Sequence, residues 1–243
     1  MTPPPQGMHI LLIGGSGGIG TALAAELMRQ GAASIVVASQ RPVAASTGAQ
    51  FLQETVDITR LDSVEALAAR IAGRDISVVI NCAGVNGNQR LTAPNSSATA
   101  RREMEVNYFG MLHLASVFAP RLAARGGGTL MHMLSFLSHI NLPLMASYCA
   151  SKAAAHSLTQ ALRAEWRPQA VRVCGIYPTA VDTAMSSALQ APKLAPSQLA
   201  SEVVAALAGS EEDLFPAEAA QAYAEYLRDP KAMERAMSEV FLT

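Results

Sequence analysis

The chain has 243 residues, a formal net charge of -1, 50% hydrophobic residues and 15% charged residues. This length suits one α/β domain or two small domains, and a near-neutral charge without a basic block argues against nucleic acid and anionic membranes as partners. The three cysteines, Cys82, Cys149 and Cys174, form no CxxC pair or Cys/His cluster, which argues against a metal site and is typical of a reducing cytosol.

Neither the apolar runs nor the first residues indicate a membrane protein. No apolar run reaches the ~18 residues that a membrane span requires. Residues 1–7 contain three prolines and no basic segment, which predicts a short disordered tail and not a signal peptide. We therefore expect a cytoplasmic protein with a single domain over residues 8–243.

Strands and helices alternate in the predicted order of elements. Short apolar or β-branched runs predict strands, and Ala- and Leu-rich stretches with apolar residues at helical spacing predict helices between them. In chain order, the predicted elements are a strand at 8–13, a helix at 21–30, a strand at 34–38, a short strand that ends at 55–56, a helix at 62–72, a strand at 76–80, a helical region at 98–125, a strand at 129–134, a helix at 146–166, a strand at 171–176, a two-residue strand at 214–215 and helices beyond it.

This alternation predicts the fold class. Strands that are continuous apolar runs are typical of a parallel sheet with helices on both faces. We therefore predict a single α/β domain with a doubly wound parallel sheet, a Rossmann fold, and the strand order 3-2-1-4-5-6. The run at 214–215 would add a short seventh strand at the edge.

Three glycines mark the junction between the first strand and the first helix. Gly14 allows a tight turn, Gly18 allows the backbone to approach a pyrophosphate, and Gly20 allows the helix to pack closely on the strand. Phosphates at this junction would face the free N–H groups and the positive dipole end of the helix. The position of these glycines, with Ser16 and Ile19 among them, predicts a dinucleotide site, although a structural turn would also explain the glycines alone.

The end of the second predicted strand indicates which dinucleotide binds. Many dinucleotide-binding folds place an acid there to hold the ribose 2′-hydroxyl of NAD. This sequence has Ser39 there, followed by Gln40 and Arg41, so no carboxylate would repel a 2′-phosphate and the guanidinium could pair with one. We therefore predict NADP(H) as the preferred cofactor, with NAD(H) as the alternative if Arg41 is only an exposed charge.

Tyr148 and Lys152 lie four residues apart in a predicted helix, so their side chains share one face. A nearby ammonium stabilises a phenolate, which predicts a lowered pKa for Tyr148 and proton exchange near neutral pH. Such a pair is also common on helix surfaces. Ser135 favours the catalytic interpretation, because it follows the fifth strand, where ligands bind in parallel sheets, and its hydroxyl could hydrogen-bond a carbonyl oxygen.

In this order and spacing, the motifs resemble those of the short-chain dehydrogenase/reductase family over most of the chain, from about residue 8 to residue 183. The matching segments are Gly14-Gly15-Ser16-Gly17-Gly18-Ile19-Gly20, Asn81-Cys82-Ala83-Gly84, Asn107, Ser135 and Tyr148-Cys149-Ala150-Ser151-Lys152. The resemblance implies an oxidoreductase that transfers hydride between a nicotinamide dinucleotide and a carbonyl/alcohol pair.

The resemblance also implies roles for single residues. Ser135 orients the substrate oxygen, Tyr148 is the general acid in reduction and the base in oxidation, and Lys152 binds the nicotinamide ribose. Asn107 holds a water of a proton relay, unless it is a buried amide that only braces the backbone. Beside Tyr148 and Lys152, the implied cofactor contacts are Asp57 and its neighbour Ile58 at the adenine, Asn81, Ala83 and Gly84 at the ribose, and Pro178, Val181 and Thr183 at the nicotinamide carboxamide.

Three departures from the family's pattern leave the substrate class and the C-terminal packing open. Ile13 stands where threonine is usual, Thr179 stands where glycine is usual, and no glycine-rich last strand is evident. The alternatives to an NADP(H)-dependent carbonyl reductase are an NAD-dependent alcohol dehydrogenase, an acyl-carrier-protein reductase and a non-catalytic protein that senses a dinucleotide.

Two segments are expected to frame the substrate pocket: residues 136–145, and residues 184–190 within a lid at about 182–196. They contain no Lys, Arg, Asp or Glu, so we predict a neutral, mostly apolar ketone, aldehyde or alcohol. Arg90 and Arg101 are charged side chains that could reach the pocket from elsewhere. The regions at 98–125 and 146–166 correspond to the family's dimer-forming helices, so we predict a homodimer or homotetramer.

Overall fold

Seven strands form one sheet in this computed structural model, which describes residues 5–41 and 50–242. The strands are β1 (His9–Ile13), β2 (Ser34–Ser39), β3 (Phe51–Thr55), β4 (Val78–Asn81), β5 (Gly128–Met133), β6 (Val171–Ile176) and β7 (Asp213–Leu214). Every neighbouring pair is parallel, and the order across the sheet is β3-β2-β1-β4-β5-β6-β7. The predicted doubly wound α/β fold is confirmed, and the seventh strand begins one residue earlier than expected.

Helices cover both faces of the sheet. In the described part of the chain they are α1 (Gly18–Arg29), α2 (Leu61–Arg70), α3 (Ser96–Met104), α4 (Gly110–Ala124), α5 (Ala146–Trp166), α6 (Pro196–Ala205), α7 (Ala219–Arg228) and α8 (Pro230–Leu242). Leu11 and Ile13 of β1 join the apolar core under α2, α4 and α5, whereas Ile10 and Leu12 join the core under α1 and α6. Successive side chains of a strand alternate between faces, so the central strands are buried on both.

The helical region predicted at 98–125 is interrupted. α3 ends at Met104, and a π-helical turn over Glu105–Phe109 joins it to α4. A π turn has a wider backbone hydrogen-bonding pattern than an α-helix and is frequent at functional sites. Here the turn carries Asn107, whose side chain is buried.

Residues 5–7, which we expected to belong to a disordered tail, lie against the fold instead. Gln6 forms an antiparallel bridge with Ala32, and the Met8 N–H donates to the Pro5 carbonyl oxygen at 3.0 Å. The bridge ties the segment to the chain between α1 and β2, and the bond between Met8 and Pro5 closes a turn within the segment. Residues 1–4 of the expected tail lie outside the described residues.

The carboxyl ends of the central strands meet at one edge of the sheet, as parallel strands require. β1 leads into the glycine loop, β4 ends at Asn81, and β5 ends two residues before Ser135. Over residues 5–41 and 50–242, no helix is long and apolar enough to cross a membrane. Over the same residues, no group of three or more His, Cys, Asp or Glu side chains could hold a metal ion.

Candidate active site

The glycine loop between β1 and α1 keeps its backbone clear of side chains. Gly14 has a φ of +81°, and a β-carbon there would lie 2.6 Å from the Ala83 nitrogen. A β-carbon on Gly20 would collide with the Gly14 carbonyl oxygen, and one on Gly18 would lie 2.8 Å from Thr183 Cγ2. These positions therefore favour glycine, and the N-terminus of α1 stays open toward a phosphate.

A cleft of about 650 Å³ runs along this loop, a volume within the range of cofactor sites. Eleven of the predicted cofactor residues line it: Gly14, Ser16, Gly18, Ile19, Gly20, Ser39, Arg41, Ile58, Ala83, Gly84 and Thr183. Lining residues that we had not assigned to the cofactor include Gln40, Thr59 and Arg102, together with Ala184 and Met185 of the expected substrate segment. A clear backbone cradle at a helix N-terminus, opening into a cleft of this size, fits a dinucleotide.

The remaining predicted cofactor residues do not line this cleft: Asp57, Asn81, Tyr148, Lys152, Pro178 and Val181. Asn81 Oδ1 accepts the Ala83 N–H at 3.1 Å and so braces the cleft wall from behind. The Pro178 carbonyl oxygen accepts the Phe136 N–H at 2.9 Å, which ties the end of β6 to the segment after Ser135. The Val181 side chain is buried in the core.

Two arginines stand at the end of the cleft beside β2. Arg41 and Arg102 both line the cleft, and both are exposed. Ser39 is buried, and its hydroxyl donates to the Arg41 carbonyl oxygen. Among the described residues that line the cleft there is no carboxylate. This end of the cleft is therefore suited to an anionic group.

Asp57, the residue implied at the adenine, accepts hydrogen bonds from a nearby residue of its own loop. Its Oδ1 accepts the Thr59 N–H at 3.0 Å and the Thr59 hydroxyl at 2.7 Å. Burial raises the pKa of Asp57, but hydrogen bonds from Thr59 and Gln40 and the charge of Arg102 outweigh it and hold the pKa below its usual value. The carboxylate therefore helps to position Thr59 and Gln40, which do line the cleft.

Ser135 and Tyr148 meet each other, and neither is among the residues that line the cleft. Ser135 follows β5, and its Oγ accepts the Leu137 N–H at 3.1 Å, which leaves the hydroxyl proton available for donation. Burial raises the pKa of the Tyr148 phenol above its ordinary value, while a hydrogen bond with Ser135 opposes that rise. The lowered pKa that we predicted for Tyr148 is therefore wrong, because desolvation disfavours the phenolate more than its surroundings stabilise it.

Lys152 lies one helical turn after Tyr148, as the spacing predicted. Its Nζ is 5.8 Å from the centre of the Tyr148 ring and donates to the Met133 carbonyl oxygen at 2.7 Å. Burial lowers the pKa of Lys152 to about 8. The Cys82 thiol lies nearby, and burial raises its pKa to about 12, so it stays protonated at neutral pH. The ammonium is thus the principal charge at this point.

Asn107 links the chain after β4 to α5, the helix that carries Tyr148 and Lys152, through side-chain hydrogen bonds. Its Oδ1 accepts the Val85 N–H, and its Nδ2 donates to the Val85 carbonyl oxygen and to Ser151 Oγ, each at 2.9 Å. A β-carbon on Gly84 would lie 3.3 Å from Asn107 Oδ1 and 3.5 Å from Lys152 Nζ. The side chain therefore braces the backbone near the lysine, and its part in a proton relay stays a prediction.

Only part of the segment at 136–145 is available to a substrate. Phe136, Ile140 and Leu142 are buried in the fold, whereas Leu137 and Met145 are partly exposed. The apolar surface offered by this segment is therefore smaller than its composition suggests.

The loop after β4 contacts both segments that are expected to frame the substrate pocket and would form its third wall, which sequence reasoning missed. Asn86 Nδ2 lies 3.2 Å from Met145 Sδ, and Asn88 Nδ2 donates to the Met185 carbonyl oxygen at 3.2 Å. Asparagines in a polar loop carry no local signal of such a role. They add amide groups to a site for which we expected two apolar segments.

The expected lid at 182–196 is a loop closed at its base. Val181 and Leu194 form a bridge, and the Asp182 N–H donates to the Leu194 carbonyl oxygen at 2.9 Å. Within the loop, Thr183 and Ser186 cap a short 3-10 helix over Ala184–Ser186. Because Thr183 and Met185 line the cleft, this loop lies over the dinucleotide site.

The C-terminal helical region contacts the loops that follow β5 and β6. Thr179 Oγ1 donates to Glu218 Oε1 at 2.8 Å, so the threonine that departs from the family's glycine bonds the chain before α7. His139 packs against Tyr177 and Tyr223, with ring centres 5.0 and 4.8 Å apart. These contacts give His139 a packing role.

Comparison with known proteins agrees with this geometry. Residues 8–194 match the family described as short chain dehydrogenase. A galactitol 2-dehydrogenase (L-tagatose-forming) of Cereibacter sphaeroides is 34% identical over 70% of this chain and 71% of that protein. An NAD-dependent glycerol dehydrogenase of Listeria innocua is 32% identical over 71% of this chain and 70% of that protein.

A solved structure extends the likeness to the whole fold. A short chain dehydrogenase from Burkholderia cenocepacia, crystallised in complex with NADP, superposes with a TM-score of 0.89 at 33% identity and covers 96% of this chain and 98% of that chain. Because the sequence match spans most of the chain and the fold match nearly all of it, the chain belongs to the short-chain dehydrogenase/reductase family, whose enzymes interconvert CH–OH and C=O groups with a nicotinamide dinucleotide.

Proposed function

We propose that the chain is an NADP(H)-dependent oxidoreductase that reduces a neutral, mostly apolar ketone or aldehyde to an alcohol, or catalyses the reverse oxidation. One observation carries the proposal: Ser135, Tyr148 and Lys152 come together beside a glycine-lined dinucleotide cleft. A phenol, a hydroxyl and an ammonium in this arrangement provide the proton transfer that accompanies hydride transfer.

Each side chain has a distinct part in reduction. A bound nicotinamide supplies the hydride. The Ser135 hydroxyl donates a hydrogen bond to the carbonyl oxygen and polarises it, and Tyr148 transfers its phenolic proton to the same oxygen as the alkoxide develops. The Lys152 ammonium then stabilises the phenolate that remains on Tyr148.

The phenol of Tyr148 holds its proton at neutral pH. A phenol with a pKa above its ordinary value keeps its proton throughout the neutral range. Reduction needs this protonated form as the acid, whereas oxidation needs the phenolate as the base. Tyr148 therefore has the proton that reduction requires, and in oxidation it must first lose that proton.

A panel of ketones and aldehydes, offered with NADPH and with NADH and followed at the nicotinamide absorbance band, tests this function. We expect at least one carbonyl compound to oxidise NADPH faster than NADH. Binding of NADPH without turnover of any compound in the panel would instead support a protein that senses a dinucleotide.

Cofactor choice is tested by Ser39→Asp, with Ser39→Ala as the matched control. The new carboxylate would stand among Arg41 and Arg102, repel a 2′-phosphate and offer a partner to a 2′-hydroxyl. We expect the Kd of NADPH to rise by about tenfold or more and that of NADH to fall, as measured by fluorescence titration. The alanine variant loses only the bond to the Arg41 carbonyl and should keep the wild-type preference.

NAD(H) stays the alternative cofactor, because one relative is named as an NAD-dependent glycerol dehydrogenase. A wild-type protein that already binds NADH more tightly than NADPH would overturn the preference drawn from Ser39, Arg41 and Arg102.

Substrate charge is tested with a neutral ketone and a keto acid of similar size. We expect the neutral ketone to have the higher kcat/KM, because the segments at 136–145 and 184–190 offer a carboxylate no charged partner and an unpaired buried charge is costly. Arg90 lines a neighbouring cavity of about 410 Å³ with Asn141 and Pro143. A higher kcat/KM for the keto acid, lost in Arg90→Met, would refute the neutral substrate and identify the arginine as its partner.

A further inference from the structure

Glu103 is a buried acid in the last turn of α3. Its side chain is 2% exposed, and its Oε1 accepts the Gly87 N–H at 2.8 Å. Its Oε2 is buried and has no hydrogen-bond partner among the residues that the structure describes. Burying a carboxylate with an unpartnered oxygen is costly, but an apolar side chain at this position could not accept the Gly87 N–H.

The loop after β4 packs closely against α3, the helix that carries Glu103. A β-carbon on Gly87 would collide with Thr99 Cγ2 and would lie 3.5 Å from Glu103 Oε1. Two residues earlier, Val85 is held through both its N–H and its carbonyl oxygen by Asn107. Residues 85 and 87 are therefore fixed on the same helical segment by two buried side chains.

The alternate residues of this loop reach the substrate side. Asn86 contacts Met145, which follows the Ser135 segment, and Asn88 donates to the Met185 carbonyl oxygen in the lid. Asn86 Oδ1 also accepts the Asn88 N–H at 2.9 Å, so the two asparagines form one unit. Their positions depend on how Gly87, which lies between them, is held.

We propose that Glu103 is a positioning residue of the substrate site: by holding the Gly87 N–H, it aims Asn86 and Asn88 at the two segments that frame the substrate. Glu103 does not touch the reacting atoms. It sets the third wall of the pocket and the attachment of that wall to the lid. This role rests on the proposed function of the same site.

Variants of Glu103 separate its acceptor oxygen from its packing. Glu103→Gln keeps an oxygen that can accept from Gly87, whereas Glu103→Met keeps similar length and removes the acceptor. Glu105→Gln alters an exposed acid on the following turn and is the control. The negative charge of Glu103 also raises the pKa of Tyr148, so the assays are run near pH 7, where the phenol remains protonated in every variant.

We expect Glu103→Met to raise the KM of the carbonyl substrate by about tenfold or more, since a buried donor loses its partner. The Kd of NADPH and kcat should change by less than about threefold, because Ser135, Tyr148 and Lys152 are untouched. Glu103→Gln and Glu105→Gln should retain the KM of the wild type. A Glu103→Met protein with the wild-type KM, or a Glu103→Gln protein as impaired as Glu103→Met, would overturn the proposal.

Hydrogen exchange gives a second test that needs no substrate. In the NADPH complex, the amides of Gly87 and of residues 183–187 should exchange faster in Glu103→Met than in the wild type. In Glu103→Gln these amides should exchange at the wild-type rate. If no carbonyl compound is turned over, the proposed function fails, yet this exchange pattern still decides the role of Glu103. Unaltered exchange in a folded Glu103→Met protein counts against that role.

A repair experiment covers the case in which Glu103→Met does not fold. Gly87→Ala should raise the substrate KM in the same direction, because its new methyl collides with Thr99. Thr99→Ser removes the colliding methyl and keeps the hydroxyl that donates to Gln89 Oε1 at 2.6 Å. The KM of the double variant should therefore return most of the way to the wild-type value. Gly87→Ala with an unchanged KM would show that the loop does not shape the substrate site.

Discussion

Replacing Tyr148 with Phe is expected to lower turnover by about 10²–10⁴-fold, the usual contribution of general acid catalysis. Phenylalanine keeps the ring that packs at the start of α5 and removes only the hydroxyl that meets Ser135. NADPH should bind with nearly unchanged affinity, because Tyr148 does not line the dinucleotide cleft. Steady-state kinetics and a fluorescence titration of NADPH measure the two quantities on one preparation.

Tyr177→Phe is the matched control for this variant. Tyr177 is buried, its ring packs against His139 and Phe215, and its hydroxyl is 2.7 Å from His156 Nδ1. The Tyr177→Phe protein should keep the wild-type turnover, whereas the Tyr148→Phe protein should lose it. Near-normal turnover in the Tyr148 variant would remove the proton donor from the mechanism.

Replacing Lys152 with Met is expected to lower turnover by about 10²-fold or more, because the ammonium that stabilises the phenolate is lost. The same change should raise the stability of the folded protein near pH 7. The ammonium is buried, and the desolvation that lowers its pKa to about 8 is a cost that the native state bears and the unfolded state does not.

The pH dependence of this stability difference follows from the two pKa values. In the unfolded chain Lys152 titrates near 10.5, and in the fold near 8. Below about pH 8 both states are protonated and the full cost is present. Between about pH 8 and 10.5 the folded state releases its proton first, so the wild type gains stability relative to the variant until the cost disappears.

Thermal unfolding at pH values across this window measures the difference. We expect the Tm of Lys152→Met to exceed that of the wild type most at neutral pH and least above about pH 10.5. Lys231→Met, at an exposed position of α8, should show no such trend. A pH-independent difference in Tm for Lys152→Met would show that the lysine is not desolvated in the fold.

Much of the fold could be predicted because its central strands are buried on both faces and therefore appear as continuous apolar runs. β3 is different: Phe51–Thr55 contains polar residues and lies at the edge of the sheet, so the sequence indicated only its end. The π turn at Glu105–Phe109 was missed because no local signal announced that α3 and α4 are separated by a wider turn.

The catalytic residues could be proposed because short motifs surround them, whereas Arg102, Asn88 and Glu103 reach the site only through the packing of distant elements. The direction of the Tyr148 pKa was wrong for the same reason: helical spacing places Lys152 beside it, but the extent of burial is a tertiary property. The homo-oligomer and the cytoplasmic location stay predictions.

The most direct test is a single turnover with NADPH deuterated at both C4 positions and a carbonyl compound that the panel identifies. We predict an alcohol that carries one deuterium on the former carbonyl carbon, formed by the wild type and at a rate lower by about 10²-fold or more in Tyr148→Phe. If the wild type binds NADPH yet transfers no deuterium to any carbonyl compound, the chain is not the reductase proposed here.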